Sequence, residues 1–332
     1  MCVNIRDSIQ SRCVLPVAIT QRSTRTIGIL CLVGAVALLS ASDSIIKWLS
    51  PSYALHEIML LRAVVALAVT AIIIKLEGGI RILRTRRPGL HLLRGLLLAI
   101  ANMFFFLGLA SMPFAEAVAL FFIAPLIMSA MSLPILGERV GLDRWVAVLV
   151  GLIGVIVMLR PGFGTVSVVG VLPLLAAFAY ACMQMLTRRL GITDSAATLS
   201  FYIQVTFLVV CAMIGVSIGD GRFSGGTNAT FEFLLRAWTW PSQSDLILIA
   251  LCGLLVALGG YLLSQAYRIT EVAVVAPFEY VALPFAMFWG YQLWGDWPDK
   301  VTFIGSALIV GGGLIVLYRE IRQARSVATR SI

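Results

Sequence analysis

Charge is scarce in this chain. Only 12% of its 332 residues are charged, whereas about a quarter is usual for a soluble domain, and 60% are hydrophobic. Histidine occurs twice, no HExxH pattern is present, and the six cysteines form no CxxC pair. These features exclude an ordinary soluble domain, and they offer no pattern for a metal site or a cofactor.

The chain instead contains long runs of uncharged, apolar residues. A helix needs roughly 20 apolar residues to cross about 30 Å of hydrocarbon, and five runs reach that length: 95–115, 117–137, 161–187, 195–219 and 246–267. Five more spans are shorter or carry a charge: 26–48, 54–76, 145–159, 272–294 and 301–318. Helices satisfy their own backbone hydrogen bonds in lipid, so we predict an all-α polytopic membrane protein with ten transmembrane helices.

Two stretches of the chain repeat each other. ASMPFAEAVALFFIAPL at 110–126 and AYRITEVAVVAPFEYVALP at 266–284 each precede a Gly-rich apolar run. Gly137 and Gly295 lie 158 residues apart, as do Gly154 and Gly312. Because each half holds five predicted helices, the second must enter the membrane inverted. Inverted repeats are a recurring architecture of secondary transporters, which hold their solute between the halves.

The repeat sets the predicted organisation: a leader over 1–25, a first repeat over 26–160, a second over 161–319 with a long outer loop at 220–245, and a basic tail over 320–332.

With the amino terminus inside, 19 of the 25 Lys and Arg fall on the cytoplasmic side. Arg94 is counted among them. This sorting by loop indicates topology rather than nucleic-acid binding, and it predicts that both termini are cytoplasmic. The long loop is interpreted as a variable surface loop, with a gating lid as the alternative.

Three of the charged residues in the first two predicted spans form one group. A charge inside a span costs at least ~2.5 kcal/mol on insertion scales, so each one requires an explanation. Asp43 and Lys47 are four residues apart on one helix face and able to pair, and Arg62 is a third member of the group. The group either lines a vestibule that binds the polar end of a solute, or locks two helices together.

Glu279 is the one formal charge well inside the ninth predicted span, and it follows Pro277. A proline there removes a helix hydrogen bond and exposes carbonyl groups that a cavity can use. The carboxyl group is predicted either to carry protons and bind a cationic or hydrogen-bonding solute, or to be a structural group held by a tyrosine.

Six uncharged residues complete the candidate solute site. Tyr180 and Gln184 are four apart on one face, as are Tyr261 and Gln265. Their rings and hydrogen-bonding groups suit an organic solute, although each one alone also fits a contact between helices. The six are Asn102, Tyr180, Gln184, Tyr261, Gln265 and Tyr280.

Proline and glycine mark the packing of the two halves. Pro113, Glu116 and Pro125 loosely mirror Glu271, Pro277 and Pro284, and interrupted helices at matching positions point to a binding site, although either glutamate also suits a helix N-terminus. The Gly-rich fifth and tenth spans permit close helix approach, so they are predicted to form scaffold or homodimer surfaces.

The run from Asp43 and Lys47 through Arg62 into HLLRGLLLAIANMFFFLGLASMPFAEAVALFFIAPL resembles the EamA-type exporters of the drug/metabolite transporter superfamily. The later AYRITEVAVVAPFEYVALPFAMFWGYQLWGDWPD resembles the second EamA repeat. Asp43 with Lys47, the pair Arg94-Gly95, and APFEY are similar to a bacterial branch that includes riboflavin and S-adenosylmethionine uptake proteins.

This resemblance implies a secondary transporter, not an enzyme. It would move a small organic metabolite across the bacterial inner membrane by alternating access, with the lipid bilayer and the solute as its partners. Riboflavin uptake is the first hypothesis. The alternatives are S-adenosylmethionine uptake, amino-acid or drug efflux and, from another class, an intramembrane enzyme, for which the sequence offers no catalytic constellation.

Overall fold

The computed structural model describes residues 7–136, 142–159, 168–190, 193–224, 229–270 and 275–330, and within these ranges the regular structure is helical. The helices are α1 (Asp7–Leu49), α2 (Leu55–Glu77), α3 (Pro88–Leu109), α4 (Phe114–Phe121), α5 (Ala124–Leu136), α6 (Leu142–Leu159), α7 (Val168–Leu190), α8 (Ala196–Ile218), α9 (Ala229–Leu235), α10 (Gln243–Ile269), α11 (Ala282–Trp294) and α12 (Lys300–Arg330). Two 3₁₀ helices cover Ile80–Leu83 and Ala276–Val281.

These helices form a polytopic membrane fold. Among the described residues, six helices are long and apolar enough to cross a bilayer: Thr26–Leu49 within α1, α2, α3, most of α7, α8 and α10. Helices α4 and α5 together make the fourth span, α6 the fifth, the second 3₁₀ helix with α11 the ninth, and α12 the tenth. The predicted all-α membrane fold of ten helices is confirmed. α1 also runs back into the predicted leader and α12 forward into the predicted tail.

The inverted repeat is visible in the helix packing. α1 packs against α10 as α7 packs against α3, and α2 contacts α10 as α8 contacts α3. α2 also packs on α8, and α6 on α12. When the two halves are exchanged, each of these helix pairs becomes another pair named here or becomes itself. A twofold axis in the membrane plane requires this pattern. The first two helices of each half are offset by 141 residues, from Leu49 to Leu190, and the third by 158.

Residues at matching positions meet on this axis or pack alike. The fourth span is interrupted at Phe122 and the ninth begins as a 3₁₀ helix containing Tyr280, and these two rings, 158 residues apart, pack with centroids 5.4 Å apart. Gly95 and Gly253 are also 158 residues apart. A Cβ at Gly95 would meet the side chain of Thr206, and one at Gly253 would lie 2.7 Å from the carbonyl oxygen of Arg62. Close approach of the third helix of each half to the other half thus requires glycine.

The fifth and tenth spans pack on each other. A Cβ at Gly154 in α6 would lie 2.7 Å from the carbonyl oxygen of Gly305 in α12. The predicted scaffold role of these Gly-rich helices agrees with this contact, and a homodimer surface stays a prediction.

The third helix differs from its prediction. The apolar run predicts 95–115, but α3 covers Pro88–Leu109 and begins with proline in its first turn, a common helix start. Arg94 therefore lies nearly two turns inside the helix and is only 2% exposed. The sequence, because of the charge on this residue, predicts a position in the cytoplasmic loop instead. The buried hydrogen bonds described below compensate that charge.

The long loop covers one end of the bundle. We call the end with the Arg-rich turn 78–87 the basic end and the other the opposite end. At the opposite end Arg236 donates to the carbonyl oxygen of Ser50 at 3.1 Å, and the Trp238 ring stacks on His56 with centroids 5.8 Å apart. The short helix α9 lies in this loop. Residues 225–228 of the loop lie outside the described ranges.

Candidate solute cavity

A cavity of about 200 Å³ lies between the two halves. Its walls come from α1, α2, α3, α4, α7, α8 and α10, together with Phe122, Glu279 and Ala282 from the two interrupted spans. Of the ten residues predicted as solute or coupling sites, six line it: Asp43, Arg62, Asn102, Tyr180, Gln184 and Glu279.

Glu279 is the centre of a buried hydrogen-bond network. Its Oε1 accepts from the Tyr180 hydroxyl at 2.8 Å and from the Tyr267 hydroxyl at 2.5 Å. The Gln184 amide donates to the Tyr180 hydroxyl at 2.6 Å. The network joins α7, α10 and the ninth span, and Glu279 is only 5% exposed. This geometry agrees with both hypotheses for Glu279. Two tyrosines hold the carboxyl group, as a structural role requires, and the group also borders the cavity, as a role in solute or proton binding requires.

A second polar group, which we call the Asp43 pole, consists of Ser40, Asp43, Arg62 and Asn102. Arg62 donates to the Asn102 side-chain oxygen at 3.3 Å and lies over the Phe106 ring, 5.7 Å from its centroid. The Asp43 carboxylate interacts electrostatically with Arg62 over a longer distance, but it makes no hydrogen bond or ion pair with any residue in the described ranges. It therefore faces the cavity with acceptor capacity to spare.

A third group, the Arg94 pole, consists of Arg94, Gln184, Ser200, Gln204 and Ser264. Arg94 donates from Nε to the Thr187 hydroxyl at 2.7 Å and from a terminal nitrogen to the Leu199 carbonyl oxygen at 2.9 Å. A longer contact of 3.4 Å joins it to Ser264. Sequence reasoning missed Arg94 as a site residue because it follows the Arg-rich turn. The signal that finds it is Pro88, since a helix starting there carries Arg94 inside.

Tyr267 was also missed. It is fully buried, and its only sequence signal is its position in AYRITEVAVVAPFEY, the start of the second repeated stretch.

Four predicted site residues lie away from the cavity. Lys47 does not pair with Asp43: its ammonium group donates to the Met112 carbonyl oxygen at 2.6 Å and lies over the Trp294 ring. The rest are Tyr261, which donates to Glu77; Gln265, which accepts from Arg268 at 3.2 Å; and Tyr280, which packs on Phe122. Of the two Tyr-x-x-x-Gln pairs, Tyr180 and Gln184 line the cavity, and Tyr261 and Gln265 do not. Of the mirrored residues, Glu271 lies outside the described ranges.

Comparison with known protein families gives a match for the first half of the chain. The EamA-like transporter family matches residues 26–160. The resemblance to EamA-type members of the drug/metabolite transporter superfamily is thereby confirmed for these residues, and relatives named as transporters support a transport function.

Two curated relatives are similar over most of the chain. A riboflavin transporter of Rhizobium johnstonii is 28% identical over 75% of this chain and 77% of its own. An S-adenosylmethionine uptake transporter of Rickettsia prowazekii is 27% identical over 75% of this chain and 78% of its own. A solved crystal structure, 19% identical, covers 91% of this chain and 99% of its own with a TM-score of 0.65, and it shows that the fold is shared.

Proposed function

We propose that this EamA-type protein imports riboflavin across the bacterial inner membrane by alternating access between its two inverted repeats. The observation that carries the proposal is the cavity itself. Its walls include the rings of Phe105, Phe121, Phe122 and Tyr180, and its polar groups are concentrated at the two poles and around Glu279. A flat heteroaromatic body fits between aromatic rings, while its polar edges need hydrogen-bonding groups. The riboflavin transporter among the relatives supports the same solute.

The small volume of the cavity supports alternating access. Its volume of about 200 Å³ is below the roughly 300–1,000 Å³ of sites that hold drug-sized ligands. A riboflavin molecule therefore requires the surrounding helices to separate. Both ends of the bundle are fastened: Lys47 bonds the α3–α4 turn at the opposite end, and Arg188 donates to the Thr270 carbonyl oxygen at the basic end. In an alternating-access cycle, opening at either end would require the contact at that end to break.

Uptake of labelled riboflavin tests the proposal. The protein is expressed in cells that lack their own riboflavin importer, and insertion is checked by immunodetection of the membrane fraction. We expect uptake above the empty-vector control, and competition by unlabelled riboflavin. Uptake at the control level in cells with inserted protein would refute riboflavin as the imported solute.

S-adenosylmethionine uptake is the second candidate, and Asp43 favours it. A cationic sulfonium needs a carboxylate, and Asp43 has no hydrogen-bond partner in the described ranges, whereas Glu279 is engaged by two tyrosines. The same cells, given labelled S-adenosylmethionine, distinguish the two solutes. Loading the cells first and following release tests efflux of amino acids or drugs by the same apparatus.

The proposed topology places both termini and the basic end in the cytoplasm, because Lys and Arg concentrate there. Single-cysteine labelling of intact cells checks it at Arg84 and Ser224. We expect an impermeant reagent to label Ser224→Cys and not Arg84→Cys, and the reverse pattern would invert the topology.

A further inference from the structure

We propose that Arg94, Ser200 and Gln204 form a subsite that binds acceptor oxygen atoms of the solute, carbonyl or carboxylate. The subsite lies at the Arg94 pole, at the end of the cavity away from Asp43. The inference deepens the proposed function and rests on it, since it says which end of the solute lies where.

Arg94 offers a positive charge that the described part of the protein does not neutralise. A guanidinium has five N–H donors, and the contacts to Thr187, Leu199 and Ser264 use three of them. No carboxylate of the described ranges lies within ion-pairing distance, although the side chain is 2% exposed. A buried charge of this kind is stabilised when an anionic or strongly dipolar group joins it.

Ser200 and Gln204 provide neighbouring polar groups without partners. They are four residues apart on one face of α8, are 3% and 4% exposed, and both border the cavity. The Ser200 hydroxyl has no hydrogen-bond partner among the described residues, and none is found there for the Gln204 amide. Leaving such groups buried and unpaired costs free energy, which a solute in the cavity recovers by bonding to them.

The position of the subsite defines the solute class. Arg94 and Asn102 are eight residues apart on α3, so the two poles are separated by about 12 Å along the helix. Leu98 and Ala101, between them, give the intervening wall no charge. A solute that contacts both poles is extended, with acceptor oxygens at one end and hydroxyl groups or a cation at the other. Riboflavin brings ring carbonyls to Arg94 and ribityl hydroxyls to Asp43, while S-adenosylmethionine brings its carboxylate to Arg94.

A matched pair of serine variants tests the subsite. The hydroxyls of Ser200 and Ser42 are both buried without a partner in the described ranges, but only Ser200 borders the cavity. Binding of riboflavin and of S-adenosylmethionine is measured by calorimetry on the purified full-length protein. We expect Ser200→Ala to weaken binding about fivefold, the effect of one neutral hydrogen bond, and Ser42→Ala to leave it unchanged. Equal affinities for Ser200→Ala and wild type, or equal losses in both variants, would overturn the subsite.

The solute that responds identifies the oxygen that is bound. A loss confined to riboflavin assigns ring carbonyls to Arg94, and a loss confined to S-adenosylmethionine assigns the carboxylate. If neither compound binds the wild-type protein, the proposed function fails for both, and the subsite is decided by a solute-independent measurement.

That measurement uses charge-selective thiol labelling. In a cysteine-free background, Ser200→Cys and Ser40→Cys are each treated with anionic and cationic methanethiosulfonate reagents of similar size. We expect the anionic-to-cationic rate ratio at Ser200→Cys to exceed that at Ser40→Cys, near Asp43, by about fivefold. Equal ratios, or labelling of Ser40→Cys alone, would overturn the subsite whatever the solute is.

Discussion

Lys47 and Arg188 make the same contact at the two ends of the molecule. They are 141 residues apart, and the carbonyl groups they bind, those of Met112 and Thr270, are 158 residues apart, as the repeat requires. Each basic side chain joins the end of its repeat's first helix to the turn after the third. Breaking one contact should favour opening at that end only.

The size of the effect follows from the contacts. A hydrogen bond from a charged donor contributes about 1.5–3 kcal/mol, and both side chains are partly exposed, so the lower value applies. A loss of about 1.5 kcal/mol shifts a two-state equilibrium roughly tenfold. Lys47→Met and Arg188→Met remove the charge and keep an apolar stem. Each variant should therefore raise the population open at its own end about tenfold.

Cysteine accessibility measures this shift. Ser40→Cys in the cavity is labelled by an impermeant reagent from each face of oriented membrane vesicles. Lys47→Met should speed labelling from the opposite end and slow it from the basic end, and Arg188→Met should do the reverse. Lys75→Met, an exposed position at the basic end of α2, should change neither rate. If both variants alter labelling in the same direction, the two contacts are not gates.

Three further outcomes are expected. Glu279→Gln keeps the shape of the side chain and removes its titratable charge, so transport should lose its dependence on an imposed proton gradient; wild-type transport at every pH tested would make Glu279 structural. Gly253→Ala places a Cβ 2.7 Å from the Arg62 carbonyl oxygen and should lower the thermal midpoint by an amount equivalent to about 1–3 kcal/mol, while Gly34→Ala, with ordinary contacts, should not. Trp238→Ala should loosen the loop over the opposite end and increase its cleavage by protease, and unchanged cleavage would argue against that packing.

The fold could be predicted because a chain segment within lipid must satisfy its backbone hydrogen bonds internally, which few structures do. Long uncharged runs must be helices, and two copies with five runs each must be inverted. Helix boundaries were less secure where a charge lies inside the bundle. Hydropathy alone began the third span at Gly95 and left Arg94 outside, since the hydrogen bonds that bury Arg94 come from α7, α8 and α10 and cannot be recognised in the local sequence.

Residues of the candidate cavity were predicted where a side chain had no local reason to be polar. Asp43 and Glu279 lie within apolar spans, and both border the cavity. Spacing was a weaker guide, because a spacing of four residues puts Asp43 and Lys47 on a common helix face but does not fix a partner. Lys47 lies closer to the helix end, where the Met112 carbonyl group is within reach, so the two diverge.

The charges of the cavity break the symmetry that the fold maintains. Applying the repeat offsets of 141 and 158 to each charged cavity residue leads to an uncharged one in the other half. A twofold fold can thus rock between equivalent states while its solute site stays chemically one-sided, which a solute with two different ends requires. Positions where the halves differ, rather than where they agree, are therefore the place to look for selectivity in this architecture. The pairs are Asp43 with Gln184, Arg62 with Ile203, Arg94 with Cys252 and Glu279 with Phe121.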